Sequence, residues 1–364
     1  MAFTNRYQKT IKGNLIQIGN TLGLSKASNT LTPGTLGSIG AFTTIQNLTA
    51  AGGWPSGTTL SFAQNSSSAI LTLPSGAFVD YAELIWSASY VVPGSDVTAS
   101  IGNNINFTNP LGNTSSISAS GVSTINIALS ENAENSTNYV KSADVTSIVR
   151  TGGSGTYTCG NVPAALSATS NSLTFAGWSL YVAYTLSSEP VRNIIIFVGQ
   201  TVSVDVPYAV PINYPGPPFP IRIFYTVGEG DAIITADGFN TRPGTGTVAI
   251  NLGTAVQPAN SNPFASIIGD QSGGIDTTGT FGTRNPSGTA ATNISAGRQG
   301  WDIANNINLL PAFTGGAVAS LGLDIGTNAD PAIMNANGFV VDLSQPIATL
   351  TKSVVKHLQD QEIH

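Results

Sequence analysis

The sequence has few of the residues on which most enzyme chemistry depends. Its 364 residues include two histidines, His357 and His364, and a single cysteine, Cys159. Nucleophilic triads and imidazole zinc sites need a histidine within the fold, whereas both histidines here lie at the C-terminal end. A single cysteine excludes an intrachain disulfide and a cysteine metal cluster. We therefore expect a protein that is not an enzyme.

Charge is also scarce. Charged residues make up 9% of the chain and the net charge is −6, whereas an ordinary soluble domain has about 25% charged residues. Because like charges keep folded proteins apart, a large chain with few of them is expected to have permanent neighbours. The basic residues occur singly, so the sequence predicts no nucleic-acid partner.

Long hydrophobic runs are absent as well. No segment reaches about 18 consecutive apolar residues, so no membrane span is predicted. The N-terminus carries Arg6, Lys9 and Lys12, but residues 15–24 are interrupted by Gln, Gly, Asn and Thr. Without an apolar core segment, no cleaved signal peptide is predicted.

Glycine, serine, threonine, asparagine and proline fill much of the chain, which is typical of many short strands joined by turns. Residues 77–92 (AFVDYAELIWSASYVV) predict a strand buried on both faces or a hairpin-length pair. Residues 193–206 have the strongest strand signal. Only 142–149 suggest one or two helical turns, with Asp144 as the N-cap. The predicted fold is all-β, an antiparallel jelly-roll-like β-sandwich.

Six prolines fall within residues 207–220, and proline cannot donate to a β-ladder. This segment is therefore the predicted boundary between two sandwiches. The predicted organisation is an N-terminal arm (1–24), a first sandwich (25–206), a Pro-rich connector (207–220), a second sandwich (221–346) and a C-terminal tail (347–364).

The arm contains a short strand-forming run, Leu15, Ile16 and Ile18. Such a run can add as a strand to the open sheet edge of a neighbouring copy. The alternative is that it pairs within its own domain as a first strand. These three residues are the predicted assembly contacts.

Two groups of residues suggest ligands. Trp54 and Trp301 lie in loop-like segments and are candidates for an exposed sugar platform, whereas Trp86 and Trp178 lie in apolar strands and are expected in the core. Asp324, Asn328 and Asp330 supply oxygen donors for a weak candidate calcium site. Asp and Asn are also common turn residues, and no other cofactor is predicted.

The strongest enzyme candidate is the pair Glu229 and Asp231, which would share one face of a strand. Jelly-roll glycoside hydrolases use such a pair with a second glutamate, but isoleucines occupy the positions where that glutamate should be. A turn is the alternative. Cys159 alternates with Tyr157 on one strand face, which predicts a buried thiol, with an intermolecular disulfide as the alternative.

Several segments resemble the N-terminal head domain of the conserved-repeat surface proteins of Gram-positive spore formers, whose repeats form a domain of unknown function. They are residues 19–44, 64–90, 138–158, 176–199 and 338–353, and they include AGWSLYVAYTLSSEPVRNIIIFVG (176–199). The resemblance implies display on a cell or spore surface and no known chemistry. The sequence departs from the long members because the chain stops at His364, where they continue into the first repeat.

The first functional hypothesis is a non-catalytic protein that assembles with itself into a surface layer, fibre or ordered inclusion. The alternatives are a carbohydrate-binding adhesin head that recognises surface glycans, and a jelly-roll glycoside hydrolase. Exposed tryptophans over a groove would favour the adhesin, and paired carboxylates in a cleft would favour the hydrolase.

Overall fold

The computed structural model describes residues 3–131, 134–169, 174–202, 221–229, 239–240, 247–250, 266–285, 294–312, 324–325 and 332–343. About 53% of the structure is strand, and α1 (Thr146–Gly152) is the one α-helix among these residues. The strands of the main sheets pair in antiparallel orientation. The predicted all-β, antiparallel, sandwich-like fold is confirmed.

The described strands follow one another in the order β1 (Thr4–Thr21), β2 (Gly23–Ser25), β3 (Ile39–Thr43), β4 (Thr58–Thr59), β5 (Ser66–Leu71), β6 (Phe78–Val92), β7 (Ser95–Asp96), β8 (Ile105–Thr108), β9 (Thr114–Ile117), β10 (Ser123–Glu131), β11 (Glu134–Asp144), β12 (Gly155–Gly160), β13 (Ala176–Thr185), β14 (Val191–Val202), β15 (Ile221–Glu229), β16 (Phe239–Asn240), β17 (Thr247–Ile250), β18 (Arg298–Gln299), β19 (Trp301–Ala312), β20 (Asp324–Ile325) and β21 (Ala332–Asp342). Short 3₁₀ turns lie at Phe62–Gln64, Thr98–Ser100 and Gly282–Arg284.

The main strands form three layers. The central sheet has the order β10-β11-β6-β13-β1, where β1 contributes its C-terminal half. The front sheet continues from the N-terminal half of β1 through β14, β21, β15 and β19 to β17. The back sheet is β5-β12-β8-β9. A smaller sheet, β18-β2-β3-β4, lies beside them.

The central sheet is buried on both faces, as residues 77–92 predicted. In β6, Leu84 and Trp86 belong to the core against the back sheet, whereas Ile85 belongs to the core against the front sheet. In β13, Trp178 and Tyr181 divide in the same way. Because successive side chains of a strand point to opposite faces, both strands need apolar residues at consecutive positions.

Strand β1 joins two layers. Its residues up to Lys12 pair with β14, and its residues from Gly13 pair with β13. Gly13 lies at this change of partner, where a Cβ atom would stand 1.9 Å from the Tyr184 carbonyl oxygen. Any other residue would therefore push the two strands apart at the corner. The expected N-terminal arm is corrected: residues 4–21 form one strand that pairs with β14 and β13, and its buried side chains begin at Ile11.

Four of the described strands that follow the Pro-rich segment, β15, β17, β19 and β21, join the front sheet. β15 pairs with β21, and β21 pairs with β14, which precedes that segment. Strands from both sides of 207–220 therefore share one sheet. The predicted jelly-roll connectivity and the division into two sandwiches are unconfirmed, and residues 207–220 lie outside the described residues.

The helix of the described residues begins later than expected, and Val145 rather than the predicted Asp144 occupies its N-cap position. Asp144 Oδ1 accepts a hydrogen bond of 2.8 Å from the backbone N–H of Thr146, at the start of α1. Gly153 ends the helix with φ 62°, a conformation that glycine adopts at little cost. Val149, on the inner side of the helix, is fully buried.

Candidate functional site

The few charged residues of the described chain are turned inward. Side chains are described for 19 of them, ten basic and nine acidic. Five of these are exposed, namely Lys9, Lys12, Asp96, Asp144 and Arg150. The other 14 are buried or half-buried. The described outer surface is therefore mostly uncharged, and it carries hydroxyl and amide groups instead.

One buried ion pair joins the front and central sheets. Glu83 on β6 is fully buried, and its Oε1 atom accepts a hydrogen bond of 2.8 Å from Arg6 Nε on β1. The Tyr81 hydroxyl donates to the other carboxylate oxygen. Burial opposes the charge of Arg6, but hydrogen bonding and attraction to Glu83 outweigh it and raise the pKa of Arg6. A buried carboxylate with two donors costs far less than an unpaired one.

A second pair lies next to the first. Lys9 Nζ stands 2.9 Å from Asp80 Oδ1, and the Tyr7 hydroxyl donates to Asp80 Oδ2 over 2.7 Å. Burial favours the neutral carboxylic acid, but these two donors outweigh it and lower the pKa of Asp80. The Tyr7 ring stacks on Tyr81, with centroids 5.0 Å apart. Charges and rings thus fix the N-terminal half of β1 over β6.

A third cluster closes the corner at Gly13. Arg192 on β14 donates to the Gly13 carbonyl oxygen over 2.8 Å and to Asp342 Oδ1 on β21 over 2.6 Å. It also donates to Glu189. The guanidinium, which is rigid and has five donors, therefore ties the strands β1, β14 and β21 together.

Arg298 shapes the loop segment 276–280. Its guanidinium is fully buried and donates to the carbonyl oxygens of Asp276, Thr278 and Thr280. Burial lowers its pKa to about 10. The charge is partly balanced by the Asp276 carboxylate, 3.8 Å away. This part of the loop is packed into the fold.

A groove of about 440 Å³ lies between this loop, the C-terminal half of β1 and β5. Asp270 and Asp276 line it, but their carboxylates accept hydrogen bonds from the loop backbone, at Ser272 and Thr278 respectively. These carboxylates hold the loop conformation, as Asp does in Asx turns. Gln271 joins the loop to β5, because its amide both donates to and accepts from the backbone of Thr72.

The predicted tryptophan platform is wrong. Trp54 is 4% exposed and donates from Nε1 to the Leu31 carbonyl oxygen over 2.7 Å, and Trp301 is 0% exposed. The Trp301 ring packs against Phe175 and over Gly177, where a Cβ atom would stand 2.2 Å from the ring. A sugar needs an open ring face, and neither ring offers one.

The predicted assembly contacts lie inside the fold. Leu15, Ile16 and Ile18 are at most 8% exposed, and Leu15 pairs with Ala183 of β13. The run therefore pairs within its own chain, as the alternative prediction stated. Its backbone pairs with β13, and its side chains are buried in the two apolar cores.

The other candidate residues fall mostly outside the described side chains. For Asp324, the described part is the backbone of β20, while Asn328 and Asp330 lie outside the described residues. Glu229 ends β15 and Asp231 lies outside. In the part of the chain that the structure describes, no group of three or more His, Cys, Asp and Glu side chains is placed to hold a metal ion.

Cys159 lies where its alternation with Tyr157 predicted. Both side chains are fully buried in the core between the back and central sheets. Burial raises the pKa of the Cys159 thiol, and this keeps it in the unreactive protonated form.

Three strands at the outer edges of the larger sheets carry no lysine, arginine or proline. These are β9 (TSSI), β10 (STINIALSE) and β17 (TVAI). Among the described residues, each of these strands pairs on one side. Lysine, proline and bulges are the usual devices that prevent edge-to-edge pairing. The β10 edge has a register irregularity between Thr124 and Ile127, whereas the described pairings of β9 and β17 are regular. Among the described residues, β9 and β17 are therefore the edges that are open to another strand.

No described helix has the length and apolar character needed to cross a membrane. Comparisons with protein-family models, with curated proteins and with solved structures gave no match. The candidate functional surface is therefore described from this chain alone. It consists of open sheet edges and an outer face of hydroxyl and amide groups, because most of the described charges face inward.

Proposed function

We propose that this chain is a non-catalytic structural protein that assembles with copies of itself into a layer, fibre or ordered inclusion on a cell or spore surface. One observation carries the proposal: of the 19 charged side chains described, 14 are buried or half-buried. A surface with so few charges offers little repulsion between copies. The resemblance to head domains of spore-former surface proteins supports the same location.

The open sheet edges supply the mode of contact. A strand edge presents alternate N–H and C=O groups that a second edge can satisfy. β9 is the best-described case, because its Ser116 side chain is exposed while Ile117 is buried against the core. Contacts of this kind depend on backbone hydrogen bonds, so we expect assembly to persist at high salt, where charge pairs are screened.

The test is sedimentation velocity together with negative-stain imaging of the purified full chain, at low salt and at about 1 M salt, where screening is nearly complete. Ordered assemblies at both salt concentrations are expected. A chain that remains monomeric at every concentration would refute the proposal.

Ser116→Lys tests the β9 edge, because an added charge on an edge strand opposes pairing. Ser147→Lys on α1 is the matched control, since it adds the same charge at another exposed serine. We expect the first variant to assemble less and the second to assemble like the parent chain. Equal assembly by both variants would exclude β9 as the contact.

A further inference from the structure

The exposed cations of the described chain gather around one exposed aromatic ring. Arg150 Cζ stands 4.8 Å from the centroid of the Phe78 ring. Lys12 and Phe78 line the same depression. Lys9 Nζ contacts the carboxylate of Asp80, whose backbone carbonyl accepts a hydrogen bond of 3.0 Å from Arg150. We call Lys9, Lys12, Phe78 and Arg150 the basic patch.

The patch is held in place by the fold. Arg150 lies in the last turn of α1 and donates to the backbone carbonyls of Val79 and Asp80. Its guanidinium is therefore fixed over the Phe78 ring. Lys12 makes no ion pair with any other described residue, so its ammonium group is available to a ligand. Asp80 partly offsets the charge of Lys9, and the patch keeps a net positive charge.

A shallow depression that is open to solvent lies beside Phe78. Its volume is about 360 Å³, within the range of about 300–1,000 Å³ for ligand pockets. Its lining combines apolar residues with three polar ones; the lining residues are Ile11, Lys12, Gly76, Phe78, Thr185, Leu186 and Ser187. Phe78 is 56% exposed, and the other large exposed hydrophobic side chains of the described chain are aliphatic.

We propose that the basic patch binds an acidic polysaccharide. The flat C–H face of a sugar ring fits the negative face of an aromatic ring, here the face of Phe78 that Arg150 does not cover. Anionic groups along the polymer pair with Lys12 and Arg150 by charge-assisted hydrogen bonds. The hydroxyls of Thr185 and Ser187 lie close enough to the same depression to accept or donate hydrogen bonds to sugar hydroxyls.

Two other occupants fit less well. A lipid surface requires a broad apolar face, whereas the large exposed hydrophobic side chains here are few, and Phe78 is the one that lies in the patch. An acidic segment of a second copy would use the cations but would leave the exposed ring unoccupied. The sugar polymer uses both the ring and the cations.

The test is calorimetric titration of the full chain, as the monomer fraction, with three polymers: polygalacturonate for carboxylates, poly(glycerol phosphate) for phosphates, and neutral dextran. Phe78→Ala and Lys12→Gln are each expected to weaken binding about tenfold. Leu111→Ala removes an equally exposed apolar side chain outside the patch and should leave binding unchanged. Lys12→Arg keeps the charge and should also bind. Affinity should fall as salt rises.

Binding of one or both anionic polymers, reduced by Phe78→Ala and Lys12→Gln, supports the proposal and identifies the anionic group. Equal binding of dextran, no binding of either anionic polymer, or unchanged binding by both variants overturns it. Phe78-dependent binding of phosphatidylserine vesicles without polymer binding also overturns it. The same holds if Phe78→Ala and Lys12→Gln reduce self-assembly but leave polymer binding unchanged. Thermal unfolding of each variant separates lost binding from lost folding. The readout does not depend on assembly, so it stands apart from the proposed structural role.

Discussion

The two faces of the central sheet are both buried but differ in chemistry. The face toward the back sheet is almost wholly apolar and includes Trp86, Trp178 and Leu180. The face toward the front sheet mixes apolar residues with a hydrogen-bonded network of buried polar side chains, among them Gln17, Ser179, Tyr181 and Thr226. The same strands thus build one interface by apolar packing and the other partly by hydrogen bonds.

The difference indicates that the two interfaces contribute differently to stability and to the choice of strand partners. Apolar packing is non-directional and scales with the area removed from water, so the back interface supplies most of the stabilisation. Hydrogen bonds are directional, and a shifted register would leave buried groups unpaired. Thr226 on β15 makes this concrete, because its hydroxyl lies 2.6 Å from Gln17 Nε2 on β1 and 2.9 Å from Ser179 Oγ on β13. The front interface therefore specifies which strands face one another.

The largest effect is expected at the apolar face. Trp178→Ala removes a fully buried ring that packs edge-on against Phe107, 6.2 Å away, and donates to Ser67 Oγ over 2.9 Å. Emptying such a site should lower the free energy of unfolding by about 3–5 kcal/mol, measured by urea denaturation. Tyr181→Phe, on the opposite face of the same strand, removes only a hydroxyl and should cost about 1 kcal/mol. Equal losses in the two variants would contradict the comparison.

The intermediate effect is expected at the polar face. Thr226→Val keeps the shape of the side chain but removes the hydroxyl that links Gln17, Ser179 and Tyr181. We expect a loss of about 1–3 kcal/mol in the free energy of unfolding, because buried polar groups lose a partner. Thr226→Ser keeps the hydroxyl and serves as the control. If the valine variant is as stable as the parent chain and the serine variant is not, the methyl group rather than the network is what matters.

The sequence allowed the fold class to be predicted because its signals are local. The apolar run of 77–92 predicted a strand buried on both faces, and the alternation of Tyr157 with Cys159 placed both side chains on one buried face. Trp86 and Trp178 lie in the core as expected. Contacts between distant segments could not be predicted in this way. Trp301 is buried because its ring packs against Gly177 of β13 and against Phe175, which immediately precedes β13.

Pairings across long separations were missed for the same reason. Residues 4–21 looked like an arm because β13 and β14, which pair with them, lie far along the chain. The ion pair Arg6–Glu83 spans 77 positions. Single charges in a low-charge sequence give no sign of which partner they will meet, so the inward-facing charges and the basic patch became visible only in the fold.

The smallest effect is expected from the charges that join the front and central sheets, and it depends on pH. The pKa of Asp80 is lowered in the folded protein because its hydrogen bonds from Lys9 and Tyr7 outweigh the effect of burial. A lowered pKa means that the carboxylate stabilises the fold fully above the unfolded value of about 3.9, and that this contribution is lost as the pH falls through the folded value.

Asp80→Asn should therefore be less stable than the parent chain at neutral pH, and the difference should shrink below about pH 4. The size should be modest because Lys9 is 53% exposed and solvent screens the pair. Thermal unfolding midpoints from pH 2 to pH 7 measure the difference. Asp96→Asn is the control for a local contact, because the pKa of the exposed Asp96 is also lowered, but by hydrogen bonds from Thr98, two residues away on the same chain segment. A difference between Asp80→Asn and the parent chain that stays constant across this range would show that the Asp80 carboxylate does not couple its protonation to folding.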